Sequence, residues 1–277
     1  MQSNNPVFAR SEGFNGRSTN AYGNTTYPAS GMTYPGYGAP TGSNEWDTRQ
    51  QAPAYLDRGP MTIDSVVQKT GITLALLVVS AAVTWVTLPV QNSGFAMIAA
   101  LVGMGLGFVV SFKRVVNPGL VIAYAVVEGI FLGAASHLFE NYFGQGIVPQ
   151  AVLGTVVAFA GTLAAYKFFN IQVSNKFRKF VVAASFAFVG LILVDLVLGL
   201  FGASFGFNGL GVVGLLASVV GLALGVLMLI LDFDYVERGI RAGLPEQESW
   251  RAAFGLTVTI VWLYIEILRI LAILRGD

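Results

Sequence analysis

The chain has 277 residues, 55% hydrophobic and only 11% charged, with a net charge of +1 and a mean hydropathy of +0.67. Soluble proteins carry about 25% charged residues, so this composition reads as a polytopic membrane protein and excludes an ordinary soluble domain. With no cysteine and one histidine, disulfides, thiolate chemistry and a multi-histidine metal centre are excluded. The small net charge gives no ground for a nucleic-acid partner.

Residues 1–60 are rich in Gly, Asn, Ser, Thr, Pro and Tyr, as in NAYGNTTYPASGMTYPGYGAP. Such a segment buries too little apolar surface to offset its ordering entropy, so the sequence predicts a disordered, low-complexity tail. Its polarity leaves no cleavable signal peptide visible, which makes the first membrane helix the expected targeting signal. At 62–70, TIDSVVQKT offers Thr62 as an N-cap and Asp64 in the first turn, an amphipathic lead-in. Residues 61–277 then read as one domain.

Seven apolar runs follow, at 70–88, 95–112, 119–139, 148–166, 180–201, 210–231 and 252–274. Each is long enough for a hydrocarbon core of about 30 Å. The fold class is therefore an all-α polytopic membrane protein. Of the 16 basic residues, 14 fall on one side under strict alternation, and the connections 89–94, 140–147 and 202–209 carry none. The positive-inside rule puts the N-terminus in the cytoplasm and the C-terminus outside, in a multi-pass protein of the plasma membrane.

The sixth run holds 22 uncharged residues before Asp232 and Asp234. A carboxylate within such a segment costs roughly 2.5–3.5 kcal/mol at mid-membrane on insertion scales, so it points to a site or a partner. Gly214, Ser218, Gly221, Gly225 and Asp232 are spaced to share one helix face, and small residues on one face let helices approach closely. Asp232 is accordingly assigned to the bundle interior. Asp234 lies on another face, four residues before Arg238, as a surface pair. The alternative is that both aspartates mark the water boundary.

Three more acids lie at membrane depth: Glu128, near the middle of the third span; Asp195, in the outer half of the fifth; and Glu266, past the middle of the seventh. One reading is a file of carboxylates crossing the bilayer, with Asp232 inside, Glu128 central, and Glu266 or Asp195 outside. Such oxygens suit a hard cation, with Asp232 as a Ca²⁺ ligand, or protons. The other reading is separate acids that set helix registers. Glu266 then pairs with Arg269, three residues on, and the fifth helix ends early at Gly199 and Gly202. Lys113 and Arg114 close the second span at the depth of Asp232. An ion pair between Asp232 and either would hold the cytoplasmic mouth shut. A second carboxylate beside Asp232 would share a proton with it and make conduction pH-dependent.

The segments VVEGIFLGA at 126–134, ILDFDYVERGI at 230–240 and WLYIEILRILAIL at 262–274 resemble the Bax inhibitor family (transmembrane Bax inhibitor motif-containing proteins). NNPVF and MTIDSVVQKTGITL look like its actinobacterial branch. The resemblance covers about residues 60–277, with the tail as a branch-specific addition. It implies six helices around a central seventh and a pH-sensitive calcium leak. That leak would use an aspartate on the sixth helix, matched by Asp232 or, with a slip, Asp234. It would also use an arginine on the second helix, matched by Arg114, and an aspartate on the seventh. Thr259 stands where that last acid should be, and Glu266 falls two turns further along the same side.

Three function classes follow. The first is a cation leak channel or exchanger. The second is a non-transporting regulator of a membrane-anchored protease, as some bacterial relatives resemble, docking through residues 1–60. An intramembrane aspartyl protease is disfavoured, because Asp195 and Asp232 fall at opposite depths and catalysis needs them within hydrogen-bond reach. No phosphate loop, nucleophile triad or nucleotide fingerprint appears, so neither an enzyme nor a cofactor is expected.

Overall fold

A computed structural model describes residues 59–89 and 94–276 of the chain. The expected disordered tail lies outside the described residues except at Gly59 and Pro60. The described residues form seven helices: α1 (Ile63–Thr87), α2 (Gly94–Phe112), α3 (Pro118–Phe143), α4 (Ile147–Phe168), α5 (Asn175–Leu200), α6 (Val212–Arg241) and α7 (Glu248–Gly276). All seven are long and apolar enough to cross a membrane.

Local chemistry sets the helix starts. Thr62 caps α1 by accepting from Ser65 N, and the Ser65 hydroxyl accepts from Thr62 N in return. The lead-in at 62–70 is therefore the beginning of α1, not a separate helix. Asn117 caps α3 with Pro118 at the first helical position, and Ser174 caps α5. Several helices overrun the apolar segments that predict them, the sixth by the most. The sixth continues to Arg241, because Asp234–Arg238 and Glu237–Arg241 pairs carry four-residue spacing beyond the apolar run. The fifth starts at Asn175, five residues ahead of its apolar run.

Helix α7 is the most buried of the seven and packs against α1, α3, α4 and α6. Helix α2 packs chiefly on α3, and α5 on α6. The expected central seventh helix is present, with two of its six neighbours held mainly through a third. The closest approach is between α1 and α3. A Cβ on Gly129 would sit 2.3 Å from the Leu77 carbonyl oxygen, and one on Gly133 2.3 Å from that of Ala81. Gly129 and Gly133, four residues apart on one face of the third span, thus bring two backbones into contact. Side chains turned away from the bundle are apolar, such as Val86, Phe112 and Phe168, each more than four-fifths exposed, as suits a lipid-facing surface.

One end of the bundle is tied by polar contacts. Met61 N donates to Leu244 O (2.7 Å) and Glu246 N to Gly59 O (3.0 Å), which fixes the entry to α1 on the α6–α7 turn. The buried Lys69 ammonium pairs with Glu246 and lies over the Trp250 ring. This is the end where the Lys- and Arg-bearing connections gather.

Candidate functional site

Between α2 and α6, floored by α3 and α7, runs a groove of about 370 Å³. Glu128 of α3 and Asp232 of α6 both line it, with Tyr124, Ser111 and Thr259. Its other walls are apolar side chains and glycines. Asp232 accepts a hydrogen bond from the Thr259 hydroxyl at 2.6 Å. Glu128 has no hydrogen-bond or ion-pair partner among the described residues.

The two carboxylates lie at one level. At about 1.5 Å per residue, Glu128 is about 15 Å from the start of α3 and Asp232 about 14 Å from the end of α6. Both helix ends belong to the same end of the bundle. The expectation that Asp232 marks the inner mouth and Glu128 the membrane centre is therefore corrected. The cause is the overrun of α6, which carries the end of the helix nine residues past Asp232.

Each carboxylate faces a glycine on a neighbouring helix. A Cβ at Gly103 of α2 would lie 2.6 Å from Glu128 Oε2, and one at Gly255 of α7 would lie 3.3 Å from Asp232 Oδ1. On the α6–α7 seam, a Cβ at Gly221 would lie 2.5 Å from Glu266 Oε1. These glycines make room for the acids. Gly103 and Gly255 were not singled out from the sequence, where a glycine in an apolar run reads as a helix contact.

The remaining predicted acids are elsewhere. Glu266 is buried against Gly221 and Phe188, on the seam of α5, α6 and α7. One of its oxygens has no hydrogen bond among the described residues, and Arg269 Nη1 lies 3.7 Å from it. The Glu266–Arg269 pairing is thus loose, while Arg269 donates instead to Phe207 O at 2.6 Å. Glu266 lies seven residues from Thr259, about 10 Å along α7, and does not reach the groove. Fully buried Leu263 fills the space at Gly225 between the two levels.

Asp195 does not belong to a carboxylate file. It accepts from Phe205 N (2.6 Å), Asn208 N (2.8 Å) and Asn208 Nδ2 (3.0 Å). Its lone pairs are committed to folding the 201–211 connection. That connection leads into the start of α6, whereas Asp232 lies twenty residues further on, about 30 Å along the helix. The two aspartates cannot act as a catalytic pair.

Asp234 is not the surface residue expected of it. It is 7% exposed and pairs with Arg238 of its own helix and with Arg178 of α5 at 2.8 Å. Asp232 is the more accessible of the two because it opens into the groove.

The predicted gate partners also move. No ion pair joins Asp232 to Lys113 or Arg114 among the described residues; both basic residues are exposed in the α2–α3 connection. Their carbonyls accept from Arg251, at 3.3 Å and 2.9 Å, and Arg251 pairs with Glu248. The cations lie beyond the end of α2, exposed, and leave Asp232 to Thr259. No group of three or more His, Asp or Glu that could hold a metal is present among the described residues. The groove's two carboxylates fall short of the six to eight oxygens of a resident Ca²⁺ site.

Compared with known protein families, the chain matches the model described as Bax inhibitor 1 like over residues 5–276. It belongs to that family. No curated protein matches it. The match extends through most of residues 1–60 as well as the seven helices. Asp232 of the sixth helix has the Thr259 hydroxyl as its hydrogen-bonded neighbour on the seventh. The Arg114 side chain follows α2 instead of lying within it. What could have revealed Glu128 as the second groove acid is its register on α3. It stands one residue ahead of Gly129, which turns it from the α1 contact toward α2.

Proposed function

We propose that this member of the Bax inhibitor 1 like family conducts cations across the plasma membrane, calcium foremost, with its N-terminus in the cytoplasm. The observation that carries this reading is that Glu128 and Asp232, from two different helices, line one groove with no basic partner for either among the described residues. Two carboxylates in a low-dielectric surround attract a hard cation strongly. A passing ion would keep much of its water and exchange part of it for these oxygens. Fully buried Leu229 and Leu263 stand beyond the groove toward Glu266, so this arrangement is the closed one, and conduction requires the α6–α7 seam to part.

Proton competition supplies the pH dependence. Protonating either acid removes ligand charge, so flux falls as the pH is lowered. The test is calcium uptake by proteoliposomes containing only the purified chain, at neutral and acidic pH, with Glu128→Gln and Asp232→Asn. Uptake that fails in both variants supports the reading. Absence of uptake by the unaltered protein at any pH overturns it and favours a regulator that binds a membrane-anchored protease through residues 1–60.

A further inference from the structure

Helices α1 and α4 pack on α3 and α7 and leave a second, larger cleft between themselves. Its volume is about 610 Å³, within the roughly 300–1,000 Å³ of sites that hold small molecules. It runs along α1 from Leu74 to Val86. Those thirteen residues span about 18 Å, slightly more than one leaflet's share of a roughly 30 Å hydrocarbon core.

The walls are apolar almost throughout, and the hydroxyls that line them are already engaged. Ser136 and Tyr264 hydrogen-bond each other at 2.6 Å, and Thr155 donates to Ala151 O at 2.8 Å. Such a surface does not hold water, which needs two to four polar partners. It opens sideways, between two helices that each cross the membrane, so hydrocarbon chains surround it.

Polar character returns at one end. Glu140 lines the cleft there; one of its oxygens accepts from Gly146 N at 3.2 Å, and the other has no hydrogen bond among the described residues. Trp85 lines the same end, its ring stacked on His137 with centroids 5.3 Å apart. The nearby Arg275 does not neutralise Glu140. Its guanidinium donates to the carbonyls of Gly144 and Gln145, both at 3.2 Å, and to Gln150 Oε1 at 3.0 Å. This end is the one opposite the basic connections, where α1 finishes and α4 begins.

A carboxylate beside an indole at the interface is a receptor for an ammonium group. We propose that the cleft holds one acyl chain of an amine-bearing phospholipid of the ethanolamine type, from the leaflet opposite the basic end. The chain lies along Val78, Ala82 and Val156, and the headgroup ammonium sits on Glu140 and Trp85. An anionic headgroup would meet Glu140 with like charge, so the cleft discriminates by headgroup and not only by chain.

The full-length protein, reconstituted in bilayers of equal phosphatidylethanolamine and phosphatidylglycerol, is released into mild detergent and its retained lipid identified by mass spectrometry. The unaltered protein should retain phosphatidylethanolamine over phosphatidylglycerol by about tenfold, the sum of an ion pair and a cation–π contact. Glu140→Gln should bring the two lipids near parity. Ala82→Phe and Val156→Phe, on opposite walls, should each lower total retained lipid. Equal retention of both lipids by the unaltered protein overturns the proposal without recourse to any variant. So does preference that survives Glu140→Gln.

Discussion

Asp195 and the pair Glu128/Asp232 are all carboxylates on apolar helices, yet the two regions use them in opposite ways. Around Asp195 a glycine-rich connection wraps three N–H donors onto one side chain. Around Glu128 and Asp232 the neighbouring helices offer glycines and a single hydrogen bond, from Thr259. An acid surrounded by donors is a fastening for backbone. An acid surrounded by space is available to a ligand. Hydropathy registers both as the same anomaly, and only the donors tell them apart.

The sharpest way to break this contrast is to neutralise each side. Asp232→Asn combined with Glu128→Gln should reduce calcium uptake to the level of empty liposomes while the protein still folds. Asp195→Asn should leave uptake per folded molecule unchanged and lower the thermal unfolding midpoint, since it loosens the 201–211 connection. If Asp195→Asn abolishes uptake in a protein of normal stability, the division between fastening and ligand is wrong.

The next largest effect tests the closed seam. Leu263→Ala removes a fully buried side chain, at a cost of about 2–5 kcal/mol of stability, and should raise basal calcium leak several-fold. Uptake unchanged in a folded Leu263→Ala protein would place the barrier elsewhere.

Smaller changes test the space that the glycines provide. Gly103→Ala puts a methyl within 2.6 Å of the Glu128 carboxylate and should lower uptake severalfold; Gly255→Ala, with 3.3 Å to Asp232, should do so by less than half as much. The reverse order would mean that room at Asp232 matters more than room at Glu128. The smallest expected effect is that of Thr259→Val, which removes the hydroxyl bound to Asp232. Uptake should fall by less than in the glycine variants, because the carboxylate loses the hydroxyl that orients it. Unchanged uptake would show that Thr259 does not position Asp232 for the ion.

Much of the architecture was legible in the sequence because membranes leave few options. Every backbone polar group must be satisfied within the segment, so an uncharged apolar run of this length becomes a helix. The small stripe on α6 was legible too, and its Gly221 and Gly225 face α7 as their spacing requires. The pairing of Asp234 with Arg238 followed from four-residue spacing. The second partner, Arg178, did not, because it comes from 56 residues away.

The candidate site was half legible. Asp232 and Glu128 stood out as carboxylates in apolar helices, but their depths were misjudged, because α6 extends to Arg241 on charged pairs that no hydropathy window counts. The partners chosen for Asp232, Lys113 and Arg114, were placed by depth along their own helix. Which way those side chains leave the chain depends on Arg251 and the α6–α7 turn, both more than 125 residues away in sequence.

By itself, then, the amino-acid order determined the number of membrane helices, their approximate limits, the clustering of basic residues at one end and the identity of the unusual acids. Those properties are set by local composition and by the cost of burying charge in hydrocarbon. Which acids share a groove, which is tied to a loop and which faces a glycine was decided only by tertiary packing. Helix rotation and register are fixed by close contacts such as Gly129 on Leu77, and a rotation of one residue, about 100°, would turn every one of those carboxylates toward a different neighbour.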